Sequence, residues 1–143
     1  YHAENSTFSA DENKAVFSTD IAGAYPEKAS VEKWVRTYRL DRGEKFTVSD
    51  NYKLSELSDK PTTLNFVTSC EVTQPNDDTM LLEGKGFVLQ MKFDDRKFTP
   101  EIDFNEVTDS KLKGYWPDGI TRIILKWNNP KTSGKSEIVF TEK

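Results

Sequence analysis

Three groupings of side chains in this sequence have the chemistry to bind or react. Trp34-Val35-Arg36 sets an indole two residues from a guanidinium. On a strand both project from one face. The arginine could then grip a carboxylate or sulfate in a bidentate fork while the indole stacks on a sugar ring. The plainer alternative is a core tryptophan beside an arginine paired with a nearby acid. Tyr115 and Trp116, inside Lys113-Gly114-Tyr115-Trp116-Pro117-Asp118-Gly119, put adjacent aromatics in a loop bounded by Gly and Pro. Exposed rings there would stack on a sugar; rings turned inward would plug one end of the fold. Tyr25, followed by Pro26, carries a phenol suited to general acid–base work. No His or Arg partner is recognisable beside it, so a structural role is expected.

The remaining inventory excludes more than it offers. The single cysteine, Cys70, rules out an internal disulfide and a cysteine-based zinc cluster, and its place on an apolar face predicts a buried, inert thiol. The single histidine, His2, stands near the terminus. A zinc hydrolase, a Ser-His-Asp triad and a Cys-His dyad therefore fit poorly, and no catalytic residue is expected. Asp and Glu total 24, which keeps a calcium or magnesium site chemically open. Asp77-Asp78 and Asp94-Asp95 nevertheless read as turn acids, so no metal ligand is assigned and the cofactor is left open. The net charge of -4 and the lack of any long Lys/Arg run argue against a nucleic-acid partner. No stretch approaches ~18 consecutive apolar residues, so no membrane-inserted helix is expected.

These side chains need a scaffold. A chain of 143 residues fits one domain, residues 1–143, and 12% aromatic residues supply a core that a disordered acidic chain would lack. Short alternating segments dominate. Lys14–Thr19 reads as a first strand, and Phe46, Val48, Tyr52 and Leu54 follow a period of two after the Asp41–Gly43 turn. Thr62–Val72 reads as β-rich, with Leu64, Phe66, Cys70 and Val72 on one face, followed by a loop at Gln74–Asp78. Phe87, Leu89, Met91 and Phe93 form another apolar face. Ile120–Trp127 and Glu137–Thr141 read as a terminal hairpin. Ser30–Leu40 carries two periods: Val31, Trp34, Val35 and Tyr38 fit a helix, whereas Trp34, Arg36, Tyr38 and Leu40 fit a strand. Its neighbours favour the strand. The expected fold is all-β, an antiparallel two-sheet sandwich with at most a short helical turn near Pro26–Ser30.

Several blocks occur together in order: Ala24-Tyr25-Pro26, Trp34-x-Arg36, Leu40-x-Arg42-Gly43 and Val48-Ser49-Asp50. With them, Phe8–Phe66 resembles the β-sandwich of the bacterial heparinase II/III family of polysaccharide lyases; the remainder matches loosely. The resemblance implies that Trp-x-Arg lies on a strand and that Tyr25, Trp34, Arg36 and Asp50 are residues of a structural motif. It implies a parent enzyme with an N-terminal α/α toroid, periplasmic or extracellular, that cleaves acidic polysaccharides such as glycosaminoglycans by β-elimination. The family's catalytic Tyr and His residues and its His-rich block have no counterparts here, so no catalytic role is carried over. The expectation is a non-catalytic C-terminal sandwich that packs on the toroid and the preceding part of the sandwich, with acidic polysaccharide as a further partner. Rival readings are an autonomous carbohydrate-binding module, with Trp116, Tyr115 and Arg36 as contacts, and a purely structural interaction domain.

Overall fold

The computed structural model describes residues 2–143. Its strands are β1 (Glu4–Ala10), β2 (Lys14–Asp20), β3 (Val31–Asp41), β4 (Lys45–Leu54), β5 (Thr63–Thr68), β6 (Glu71–Asn76), β7 (Thr79–Gly84), β8 (Phe87–Lys92), β9 (Phe98–Asn105), β10 (Ile120–Trp127) and β11 (Ser133–Glu142). They form two antiparallel sheets. The long one has eight strands in the order β1-β2-β3-β4-β11-β8-β7-β6, and the short one has three in the order β5-β10-β9. The expected all-β sandwich is therefore present. Among the described residues, helix is confined to 3-10 turns at Ala22–Ala24 and Glu27–Ala29, the latter at the expected helical turn, and to a one-turn helix at Ser110–Lys113.

The long sheet is organised by the β3–β4 hairpin. Its turn is closed by the Glu44 N–H donating to the Asp41 carbonyl at 3.0 Å. Gly43 holds φ at 75°, a left-handed value that costs glycine no Cβ clash. Counting outward from this turn sets Leu40 opposite Phe46, Tyr38 opposite Val48, Arg36 opposite Asp50 and Trp34 opposite Tyr52. Every pair on this face matches apolar with apolar or cation with anion. A helix over the same residues would have kept the apolar stripe but left Arg36 and Asp50 unmatched, which is why the strand period wins. The core joins Trp34, Val48 and Tyr52 to Met80, Met91 and Ile138 of the long sheet and to Leu64, Phe98, Ile123 and Leu125 of the short one. Gly134, opposite Tyr52, leaves room for that ring: a Cβ there would lie 2.9 Å from the phenol oxygen.

The structure departs from the expected strands in three places. Thr62–Val72 is not one strand. The chain breaks at Ser69-Cys70, and β5 joins the short sheet while β6 joins the long one. The shared apolar face persisted across the break because both pieces still pack on one core. β6 also runs through Gln74 and Pro75, so only Asp77-Asp78 remains as the β6–β7 turn. The terminal hairpin does not form either. β10 pairs with β5 and β9, whereas β11 crosses to lie between β4 and β8. Alternation specifies which face of a strand is buried but not which partner it takes.

Candidate functional site

At the end of the β3–β4 hairpin remote from its turn, the four motif residues converge. Asp50 Oδ1 accepts the Trp34 indole N–H at 2.7 Å and the Arg36 Nε–H at 2.8 Å, and its Oδ2 accepts the Arg36 Nη2–H at 3.0 Å. The Asp50 side chain is only 1% exposed. A carboxylate so deeply buried would be costly unless its lone pairs were filled by charged or strong donors. Here two side chains fill them with three hydrogen bonds. Burial alone would lower the Arg36 pKa, but the hydrogen bonds and charge of Asp50 outweigh it, and the guanidinium is held above its ordinary value.

Aromatic rings close this end. Tyr25 stacks on Trp34 at 5.9 Å between centroids, Trp34 stacks on Tyr52 at 5.1 Å, and Trp127 meets Phe98 at 4.7 Å. Trp127 also sits edge-on to both Trp34 and Tyr52. Each such pair adds about 0.5–1.5 kcal/mol beyond the area buried. Trp34 is 4% exposed, so its indole face has no room for a sugar. Tyr25 remains half-exposed at the margin, and it does have an arginine neighbour, which the sequence did not reveal. Burial and the Asp50 charge raise its pKa, with Arg36 opposing. The shift favours the protonated phenol.

The second candidate lies on the loop after β9. Asp109 Oδ1 caps the one-turn helix by accepting from the Lys111 and Leu112 amides. The Tyr115 and Trp116 amides then donate to the Leu112 carbonyl at 3.0 and 2.9 Å. Tyr115 is 81% exposed and Trp116 40%. Their rings lie 6.5 Å apart and are inclined by 57°, so they do not form one flat platform. Trp116 shares a shallow recess with Val67, Thr68, Ser69 and Ile120. Trp116 and Arg36 line different recesses, which have Val67 and Thr68 in common.

The remaining candidates are accounted for locally. His2 Nε2 bonds Glu4 Oε1 at 2.7 Å on the surface. Asp94 accepts from the Arg96 side chain and amide, as a turn acid does, and those bonds hold its carboxyl below the usual range. Asp78 accepts from the Thr79 hydroxyl. Among the described residues, no three His, Cys, Asp or Glu side chains are arranged to hold a metal ion. Cys70 is half-buried, not fully buried as expected, because it sits at the break between β5 and β6.

One feature had no counterpart in the sequence reading. At the β3–β4 turn end the two sheets part and leave a cleft of about 640 Å³. A row of rings crosses it: Phe17 on Tyr38 at 6.2 Å, Tyr38 on Phe46 at 6.2 Å, Phe46 beside Phe140 at 6.0 Å, and Phe140 beside Phe66 of β5 at 5.7 Å. Phe8, opposite Phe17 on the edge strand β1, continues the row and is 71% exposed. Cross-strand register would have aligned these residues, but only once β1 and its pairing were known.

The fold and these two contrasting ends define an antiparallel sandwich with one sealed and one open end. No family model and no curated protein matches the sequence. Among solved structures it is similar to the heparan sulfate lyase HepC from Pedobacter heparinus, with a TM-score of 0.65 at 10% identity over 98% of this chain. The chain spans 21% of that enzyme's length. The likeness is one of fold. Among the described residues, no helix is long and apolar enough to cross a membrane.

Proposed function

We propose that this chain is a non-catalytic β-sandwich domain, residues 1–143, of a larger heparinase II/III-like polysaccharide lyase, packing against the part of the parent protein that carries the chemistry. The observation that carries this reading is the Trp34–Arg36–Asp50 cluster. The side chains best suited to gripping an acidic sugar already bind one another, and Tyr25 beside them stacks on the buried Trp34. That supports a structural role for the motif. The match to about a fifth of a lyase of known structure supports the larger context. In that context the partners are the helical toroid and adjoining sandwich of the same parent. The domain would line, without operating, a cleft for acidic polysaccharide, in the periplasm or outside the cell.

The test is ultraviolet absorbance of unsaturated uronic products after incubation with heparin, heparan sulfate, chondroitin and alginate. No turnover is expected. Turnover that is lost on Tyr25→Phe would overturn the reading.

A second reading rests on the exposure of Tyr115: a carbohydrate-binding module using Tyr115 and Trp116. Two inclined rings outside any charged pocket would give weak affinity, on the order of millimolar or about -4 kcal/mol. Titration with acidic oligosaccharides, followed by tryptophan fluorescence and amide shifts, separates the readings. Shifts centred on residues 113–119 favour the module; silence there favours the docking domain.

A further inference from the structure

Among the described residues the sandwich has four free strand edges: β1 and β6 on the long sheet, β5 and β9 on the short one. Exposed edges recruit other strands, so proteins blunt them with bulges, prolines or charges. β1 has an irregular register between Glu4 and Thr7. β6 contains Pro75 and a register shift between Thr73 and Asn76. β9 contains Pro100, Glu101 and Asp103. β5, Thr63-Leu64-Asn65-Phe66-Val67-Thr68, has no proline, no charge and no register shift.

The hydrogen-bond phase identifies which groups on β5 are free. The Trp127 amide donates to the Thr62 carbonyl at 3.0 Å, in step with the β5–β10 register. Antiparallel pairs alternate between bonded and non-bonded. Leu64, Phe66 and Thr68 therefore turn their backbone groups to β10, and Thr63, Asn65 and Val67 turn theirs away. The other side of β10 agrees. The Asn128 amide donates to the Lys97 carbonyl, which puts Lys126 and Ile124 in the bonded pairs with β9.

The free edge of β5 borders the cleft. Residues 65 to 68 line it in succession, inward-facing and outward-facing alike, so the cleft runs along the edge itself. Its floor is the half-exposed row of Tyr38, Leu40, Phe46 and Phe140, which the three-stranded sheet is too narrow to cover. Adjacent strands lie about 4.8 Å apart, so one added strand beside β5 would lie over that floor.

The geometry points to β5 as a docking edge for an extended peptide segment of another protein or domain, with alternate apolar side chains and a basic flank. Its backbone would pair with Thr63, Asn65 and Val67, and its inward side chains would cover Tyr38, Leu40, Phe46 and Phe140. The flank follows from charge. Glu44 and Glu142 line the cleft against Lys45, while Arg36 is already held by Asp50 and Asp41 by Arg39. A second copy fits less well, because a two-fold axis through β5 would bring two acidic mouths together and β5 itself carries no base. This site rests on β5 and its cleft alone and stands apart from the lyase-domain reading.

The test uses two blocked peptides with a core of six residues, matching β5. The core alternates valine and threonine, with lysine at both ends of one peptide and glutamate at both ends of the other. Amide NMR and hydrogen exchange follow each titration. With the lysine peptide, the amides of Thr63, Asn65 and Val67 should shift and gain protection at roughly millimolar peptide or below. The glutamate peptide should bind at least several-fold more weakly. Val67→Pro removes a free N–H without touching the β10 ladder and should weaken binding at least tenfold. Glu44→Lys with Glu142→Lys, a surface change, should reverse the peptide preference. Shifts at β1, β6 or β9 instead of β5, no shift at millimolar peptide, or protection of Asn65 and Val67 that grows with protein concentration alone would each overturn the proposal.

Discussion

At one end of the sandwich, Trp34, Tyr52, Trp127 and Phe98 close over a buried carboxylate; at the other, Phe17, Tyr38, Phe46 and Phe140 lie in a half-open row. The two ends share their strands, their residue types and the β3–β4 register. What differs is cover. The closed end has the short sheet above it, with Trp127 and Phe98 reaching down. The open end has only the margin of β5. Residue type therefore does not decide which aromatic is structural. Whether the opposite layer reaches it does, and a motif that looks suited to sugar binding becomes a fastener once it is covered.

The largest break in this contrast should come from Trp34→Ala, which removes a buried ring and a donor to Asp50. A loss of about 3–5 kcal/mol is expected, as for other large-to-small core changes. A denaturant midpoint like the parent's would contradict the sealed-end account. Asp50→Ala should cost about 3 kcal/mol, the lower part of the range for breaking a buried pair, because Arg36 keeps 22% exposure and can recover some hydration. If the mutant is as stable as the parent, Asp50 is not what holds Arg36 and Trp34.

Ser136, opposite Asp50 on β11, sharpens the same comparison with the opposite sign. Its hydroxyl is buried and has no hydrogen-bond partner among the described residues. Ser136→Ala should stabilise by about 1 kcal/mol, since it removes an unsatisfied buried group. Destabilisation on unfolding would mean that the hydroxyl is satisfied after all. The smallest effect belongs to the open end. Leu40→Lys should stay within about 0.5 kcal/mol, as surface changes do. A loss near that of Trp34→Ala would show that the open row is as sealed as the closed end.

Much of the closed end was legible. The Asp41–Gly43 turn fixes the hairpin, and Arg36 and Asp50 are equidistant from Gly43, as are Trp34 and Tyr52. Their pairing follows from counting, although the sequence reading named the residues without pairing them. The all-β class followed from alternation. The open end was hidden because it depends on partner choice. β1 is exposed throughout and rich in small polar residues, so no apolar period announces it. The break between β5 and β6 falls at Ser69-Cys70, with no glycine or proline to mark it, and it is this break that makes β5 an edge. Tyr115 and Trp116 were correctly placed on a loop, but the inclination of their rings depends on the Asp109 cap and the bonds to Leu112.

Residue-resolved hydrogen exchange of the free chain, under native conditions and low concentration, tests the contrast between a sealed and an open end most directly. The account predicts that the amides of Trp34, Tyr52 and Ile138 exchange only with global unfolding. Along β5, protection should alternate: Leu64 and Phe66 slow, Asn65 and Val67 fast. Uniform protection along β5, or fast exchange at Trp34 and Tyr52, would contradict it.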